Sequence, residues 1–120
     1  MSDIASELLQ KWIDAVKGGD AKQVISLYHD GGILLGTFSG NERVGHELIL
    51  EYFENLLKSP VEVEIVSEHP NVFESVAVNS GLYNFVTEGK TINARFSFVY
   101  HKSDAGWKII SHHSSVMPET

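Results

Sequence analysis

Histidines are the residues of this sequence with the clearest potential for chemistry. Six occur without any cysteine, which excludes disulfides, thiol catalysis and cysteine-ligated metals. His112 and His113 are adjacent in a strand-like run, so they point to opposite faces and cannot share one ion easily. His46-Glu47 does not begin an HExxH motif, because Leu50 stands where the second histidine would be. We therefore predict no metal site and no cofactor.

His112 is the best candidate for a catalytic residue. A half-buried imidazole can titrate near neutrality and act as an acid or a base. The commoner alternative is a core histidine whose ring is satisfied by a backbone carbonyl. The pattern leaves both interpretations open.

The stretch from Asn93 to Pro118 predicts an antiparallel hairpin that positions this histidine. Two runs rich in aromatic and β-branched residues flank turn formers at 103–106. The predicted register pairs Tyr100 with Lys108, Phe98 with Ile110, Phe96 with His112 and Ala94 with Ser114. One face is then apolar, and we predict that it lines a ligand pocket through Phe98, Tyr100, His112 and Ser114.

The opposite face of the hairpin is mixed in character. It carries Arg95 opposite His113, with several serines nearby, and the predicted register also places Trp107 and Ile109 there. One interpretation is an anion site. The favoured one is an interface between two copies of the chain, formed by Arg95, Trp107 and His113. We therefore expect a homodimer or a higher homo-oligomer.

Composition limits the classes of partner. A chain of 120 residues with a net charge of −7 is expected to form one domain, 1–120, and its charge disfavours nucleic acids and anionic membranes. The N-terminus has neither a basic segment nor an apolar one, and no run approaches the ~20 apolar residues of a membrane span. A cytoplasmic location is the resulting expectation.

Hydrophobic periodicity predicts the elements around the hairpin. Helical spacing predicts helices over 3–17, 21–28 and 44–58, and Asp30-Gly31-Gly32 reads as a turn. Strands are predicted over 33–37, 61–65, 72–73 and 76–87, with a bend or bulge at Gly81. Helices packed on one face of a curved antiparallel sheet give an α+β class.

Several motifs resemble a known family. Gly19-Asp20, Gly45 and the run YFENLL at 52–57 are similar to the association (hub) domain of calcium/calmodulin-dependent protein kinase II. The closing hairpin adds further matches at His101, Asp104, Trp107, His113, Ser115 and Pro118. The resemblance implies the cone-shaped nuclear transport factor 2-like fold, oligomerisation and a small-molecule pocket. It implies no kinase activity, because the glycine-rich loop and the HRD and DFG motifs are absent.

The same resemblance implies two alternative functions. Association domains carry pocket arginines at positions that correspond here to Leu82, Phe98 and Ser114, and related steroid isomerases carry a catalytic carboxylate near the position of Gly36. This sequence has neither, which favours a non-catalytic, stand-alone association-domain-like protein. The alternative is a SnoaL-like enzyme of isomerase, cyclase or hydratase type that acts on a small apolar or polyketide-like substrate through His112.

Overall fold

A single sheet backed by helices forms the molecule. The structure is a computed structural model that describes residues 3–118. Its elements are α1 (Ile4–Gly18), α2 (Ala21–Ile25), β1 (Tyr28–Leu35), β2 (Arg43–Val44), α3 (His46–Leu56), β3 (Val61–Phe73), β4 (Val76–Thr87), β5 (Lys90–Ser103) and β6 (Gly106–Val116). The six strands lie in the order β2-β1-β6-β5-β4-β3, all antiparallel except for the parallel pair β1 and β6. The predicted α+β class is confirmed.

The first helix forms as the sequence predicts. The Asp3 carboxylate accepts a hydrogen bond from the Ala5 backbone N–H at 2.9 Å and so caps α1, as expected of an N-cap aspartate. Gly19 ends the helix in the left-handed region at φ 78°. The buried side of α1 includes Leu9, Trp12 and Val16, and it packs on the inner face of the sheet.

The segment after α1 departs from the prediction. Helix α2 ends at Ile25, and Tyr28 already belongs to β1. The predicted turn at 30–32 is instead an irregularity inside β1, where the register with β6 shifts between Tyr28 and Ile33. Gly32 allows this close approach, because a Cβ there would lie 3.0 Å from the Ile109 carbonyl oxygen.

A two-residue strand replaces the predicted start of the third helix. Arg43 and Val44 pair with β1, and α3 begins only at His46. Gly45 separates the two elements with φ 91°, a conformation that a helix interior does not contain.

The outermost strand is longer than the periodicity indicates. β3 runs without a break from Val61 to Phe73, and its register with β4 shifts between Ile65 and Ser67. The alternation of inner-facing and outer-facing residues therefore reverses at Val66, so the sequence pattern does not show one continuous strand. Gly81 on β4 pairs with Glu68, close to this bulge, and a Cβ there would clash with the Ser67 carbonyl oxygen. The predicted bend or bulge at Gly81 is therefore not on its own strand: the irregularity lies in β3, and β4 pairs regularly through Gly81.

The terminal hairpin forms with a different register. Phe98 pairs with His112, Phe96 with Ser114 and Tyr100 with Ile109. At residues 112–114 the observed pairing differs from the predicted pairing by two residues, so those side chains keep their predicted face. A bulge at Ile110 then exchanges the inner and outer positions of β6 between Ile110 and the turn. Ile109 is buried, and Trp107 packs against the core, so their predicted placement on the outer face was wrong.

Candidate functional site

A continuous chain of hydrogen-bonded side chains crosses the core between the helices and the inner face of the sheet. We call it the buried chain; its members are Trp12, Tyr28, His112, Tyr83, Ser114 and Thr37. The helix α1, the strands β1, β4 and β6, and the loop after β1 each supply at least one of them. Of these six residues, the sequence pattern indicated only His112 and Ser114 as site residues.

The distances in the buried chain are short. The Trp12 indole N–H donates to the Tyr28 hydroxyl at 3.1 Å, and that hydroxyl lies 2.7 Å from His112 Nδ1. On the other side of the ring, the Tyr83 hydroxyl lies 3.3 Å from Nε2. Both ring nitrogens of His112 are therefore engaged.

The far end of the buried chain reaches the loop after β1. The Tyr83 hydroxyl donates to Ser114 Oγ at 2.6 Å, and Ser114 Oγ lies 2.5 Å from Thr37 Oγ1. Thr37 is partly exposed. The buried chain thus connects the interior to the surface.

The need of each buried hydrogen for an acceptor gives the direction of these hydrogen bonds. An indole can only donate, so Tyr28 accepts from Trp12, and within the buried chain the proton of Tyr28 has an acceptor when it is directed to His112 Nδ1. The imidazole proton is then on Nε2 and points to the Tyr83 oxygen. Tyr83 donates to Ser114, and Ser114 donates to Thr37. The proton of Thr37 remains available to an acceptor outside the buried chain.

His112 is held neutral by its surroundings. Burial, with a smaller contribution from the charge of His113, lowers its pKa from 6.5 to about 3. The Phe98 ring stacks on the imidazole at 3.9 Å between centroids. Burial also raises the pKa of the Tyr28 and Tyr83 hydroxyls well above the usual value. A neutral, fully bonded imidazole is the pattern of a structural histidine, and it leaves no ring nitrogen free for a substrate.

Little space remains beside the buried chain. The gaps among the surrounding side chains admit no water molecule; we call them the inner void. They are lined by Trp12, Leu34, Tyr52, Phe53, Leu56, Tyr83, Phe85, His112 and Ser114. Of the predicted pocket residues, His112 and Ser114 line this void, whereas Phe98 and Tyr100 lie in the packed layer beside it. The structure therefore brings the four together as core rather than as the wall of an open pocket.

An open cleft of about 480 Å³ lies at the edge of the molecule, between the end of α3 and the β4–β5 turn. Its lining is Phe38, Arg43, Tyr52, Asn55, Leu56, Lys58, Ser59, Thr87, Glu88, Lys90 and Ile92. Arg43 binds the Glu51 carboxylate at 2.6 Å, and Glu88 accepts a hydrogen bond from Ser59. No sequence pattern indicated this cleft, because its residues come from three separate segments, 38–43, 52–59 and 87–92.

The outer face of the sheet carries two of the three predicted interface residues. Arg95 and His113 are exposed there, although Arg95 pairs with Ser115 and His113 with Ser97. Trp107 is not on this face. Leu82 is, because it alternates with the buried Tyr83 along β4, so its expected place on the inner pocket wall was wrong.

Two absences concern the part of the chain that the structure describes. Within residues 3–118, no three histidine, aspartate or glutamate side chains are grouped so that they could hold a metal ion. Across the same residues, no helix has the length and apolar character needed to cross a membrane.

Solved structures define the class of protein. A nuclear transport factor 2-like protein of unknown function from Pseudomonas putida superposes with a TM-score of 0.85 at 17% identity, covering 96% of this chain and 85% of the other. A protein from Parabacteroides distasonis, provisionally assigned as a ketosteroid isomerase, gives 0.82 at 19%, with 97% and 89% covered. These identities show the fold alone, which is the nuclear transport factor 2-like fold.

The family is narrower than the fold. The model of the calcium/calmodulin dependent protein kinase II association domain matches residues 2–118. A Xanthomonas campestris protein provisionally assigned to the same domain superposes with a TM-score of 0.90 at 36% identity, covering 96% of this chain and 86% of the other. This chain belongs to the calcium/calmodulin dependent protein kinase II association domain family. Among curated proteins, none matches it.

Proposed function

We propose that this chain is an association module that forms a homodimer or a higher homo-oligomer through the outer face of its sheet and has no kinase activity of its own. The observation that carries this proposal is the character of that face. Family membership supports it, since the family is defined by an association domain.

The outer face of β4, β5 and β6 is only partly polar. The half-buried apolar side chains Val78, Leu82 and Val99 alternate with serines along it. The Ser80 and Ser97 hydroxyls bond to each other at 2.9 Å across β4 and β5. The helices pack on the inner face, where Trp12 contacts Tyr83 and Phe98. A face of small and apolar residues suits packing against a second sheet.

Charges of opposite sign lie apart on the outer face. Arg95 on β5 is exposed, and so are Glu62 and Glu64 on the outermost strand β3. A two-fold interface brings the same patch of both subunits together. Offset packing of two such sheets then sets Arg95 of each copy against the glutamates of the other.

Light scattering tests this proposal. We expect the native chain at micromolar concentration to have the mass of a dimer or a larger assembly. Arg95→Glu should shift the mass toward the monomer, because it places like charges together. Lys11→Glu, a charge reversal on the exposed side of α1, is the matched control. A native chain that is monomeric at these concentrations would contradict the proposal.

The open cleft is the proposed small-molecule pocket. Its volume lies in the range of ligand sites, and Tyr52, Leu56 and Ile92 supply an apolar floor. This replaces the expected pocket of Phe98, Tyr100, His112 and Ser114 as the place where a ligand first binds. We propose no nucleic-acid or membrane partner. We also propose a cytoplasmic location.

A second candidate function is the SnoaL-like enzyme, because the buried chain could carry protons between His112 and Thr37. The neutral state of His112 and its two occupied nitrogens disfavour it. The test is the conversion of a small β,γ-unsaturated ketone to its conjugated isomer, followed by ultraviolet absorbance. Turnover that disappears in His112→Gln would favour the enzyme over the association module.

A further inference from the structure

The side chains of Arg95 and His113 are neighbours on the outer face of the sheet. In the pairing of β5 with β6, Arg95 stands opposite Ser115, and His113 stands opposite Ser97. Arg95 and His113 are therefore diagonal neighbours, a relation that spans about 7–8 Å and lies within reach of long side chains. Both residues are exposed, so their N–H groups can donate to one acceptor above the sheet.

No carboxylate of the adjoining strands faces this pair. Leu82 on β4 lies opposite Arg95, and Leu35 on β1 lies opposite His113. The next residues of β4 and β1 on the outer face are also uncharged, namely Ser80, Asn84 and Ile33. Among the ion pairs within residues 3–118, none includes Arg95. The guanidinium group therefore keeps its donors for an acceptor from outside the chain.

A hydroxyl without a partner lies beside the same pair. Ser115 Oγ is shielded from water but forms no hydrogen bond, although most buried polar atoms have a partner. Ser115 is opposite Arg95 and two residues from His113 along β6. Because the residue as a whole is only half-buried, a change to another staggered rotamer can offer this hydroxyl to a ligand.

The directions of these donors define the class of ligand. A guanidinium is a planar fork that binds two oxygens at once, and the imidazole and the hydroxyl each add one further donor. A carboxylate has two oxygens in one plane, so it matches the fork alone. A phosphate group has oxygens on a tetrahedron and close to two negative charges near pH ~7, so it can accept from all three side chains.

We propose that Arg95, His113 and Ser115 bind the phosphate group of inorganic phosphate or of a small phosphate monoester, and that its binding opposes association of the chain. We call these three residues the outer phosphate site. The second part of the proposal rests on the proposed association through the outer face. In that interface Arg95 faces Glu62 and Glu64 of the other copy, so a bound phosphate occupies the donors of Arg95 and repels those glutamates.

Binding is measured on the full-length, isotope-labelled chain by the chemical shifts of its backbone amides, at a concentration where light scattering shows a monomer. Inorganic phosphate and glycerol phosphate are the probes. Acetate at equal ionic strength is the control, because salt alone screens surface charges. We expect saturable shifts at residues 95–97 and 113–115 with both probes, and an affinity for acetate that is lower by about fivefold or more.

Removal of the guanidinium group should have the largest effect on binding. Arg95→Gln should lower the phosphate affinity about tenfold or more, because it removes a charge-assisted pair of hydrogen bonds. Lys102→Gln is the matched control, since it removes the same charge from an exposed position on the same strand. Seven residues of strand separate the two positions by about 23 Å. This exceeds the screening length of about 8–10 Å, so the control should bind phosphate like the native chain.

Removal of the unpaired hydroxyl tests the third member of the outer phosphate site. Ser115→Ala should weaken phosphate binding about threefold, as expected for one lost hydrogen bond. The same variant should not lower the free energy of unfolding, because this hydroxyl has no partner in the free chain. A loss of stability together with unchanged phosphate affinity would exclude Ser115 from the site.

The effect on association is measured by light scattering at a concentration where the native chain associates. Phosphate should shift the mass toward the monomer, acetate at equal ionic strength should not, and Lys102→Gln should respond as the native chain does. A mass that bound phosphate leaves unchanged would overturn this part of the proposal.

The binding and mass measurements separate this proposal from the proposed function. Amide shifts that are absent, or an affinity that Arg95→Gln leaves unchanged, would overturn the outer phosphate site whatever the mass of the native chain. A chain that binds phosphate but is monomeric at every concentration would confirm the site and contradict the association module, and with it the regulation.

Discussion

The two faces of the β5–β6 hairpin differ although they alternate along the same strands. On the inner face, His112 is 2% exposed and Phe98 is fully buried, and every polar atom of the imidazole has a partner. On the outer face, His113 and Arg95 are exposed. Two adjacent residues of one strand thus differ completely: His112 lies in a closed hydrogen-bonded network, and His113 lies on an exposed surface.

The comparison shows that burial and partners, rather than residue type, decide what a histidine does. His112 and His113 are neighbours with identical side chains. The inner one is kept neutral and contributes to the stability of the core. The outer one is exposed at the face proposed to associate.

Removal of the inner imidazole should have the largest effect. His112→Ala leaves a gap under the stacked Phe98 ring and removes the partner of both the Tyr28 and the Tyr83 hydroxyls. Unsatisfied buried groups cost about 1–3 kcal/mol each, so we expect the free energy of unfolding to fall by about 3 kcal/mol or more. Urea denaturation measures it.

The neighbouring histidine is the matched control. His113→Ala should change the free energy of unfolding by less than about 0.5 kcal/mol, as is usual for exposed positions. Equal losses in the two variants would contradict the assignment of faces. Both measurements are made at a protein concentration where light scattering shows a monomer, because association through the outer face also contributes to stability.

Sequence reasoning found the faces of this hairpin better than its register. The period-two pattern placed Phe96, Phe98, His112 and Ser114 on one side, and a two-residue error in pairing preserves that assignment. The bulge at Ile110 could not be predicted from the sequence, because an isoleucine does not mark a bulge. That single insertion moved Ile109 and Trp107 to the other face.

The site was predicted less well than the fold. His112 was found because a histidine among aromatic residues on an apolar face is conspicuous. No sequence pattern links Trp12, Tyr28 and Tyr83 to this histidine, since hydrogen bonds between residues separated by 16 to 84 positions leave no local pattern. The residues that line the open cleft also come from distant segments, so no local pattern indicated it.

Acid should act mainly on the inner face. The folded pKa of His112 is lowered to about 3, against 6.5 for the unfolded chain. Between these values the unfolded state binds a proton that the folded state does not, so the contribution to stability is complete above pH ~6.5 and is lost as the pH falls toward 3. The slope for one such proton is about 1.4 kcal/mol per pH unit.

Variants isolate this contribution from that of the carboxylates. His112→Gln should reduce the pH dependence of the free energy of unfolding between pH ~6.5 and ~4 by up to one proton. Urea titrations at several pH values provide the slopes. An unchanged slope in His112→Gln would mean that this imidazole is protonated in the folded protein.

Single hydroxyl groups give the smallest and most direct comparison of the two faces. Tyr83→Phe keeps the ring contacts with Trp12 and Phe96 but removes the oxygen between His112 and Ser114. The imidazole N–H then lacks its acceptor, and Ser114 lacks its donor, in a region without water. We expect a loss of about 1–3 kcal/mol. Ser97→Ala removes an outer hydroxyl whose partner, Ser80, is exposed. In the monomer, water replaces that bond, so the loss should be below about 0.5 kcal/mol. Thermal or urea unfolding of both variants, at a concentration where light scattering shows a monomer, checks this, and a loss for Ser97→Ala as large as that for Tyr83→Phe would contradict the difference between the two faces.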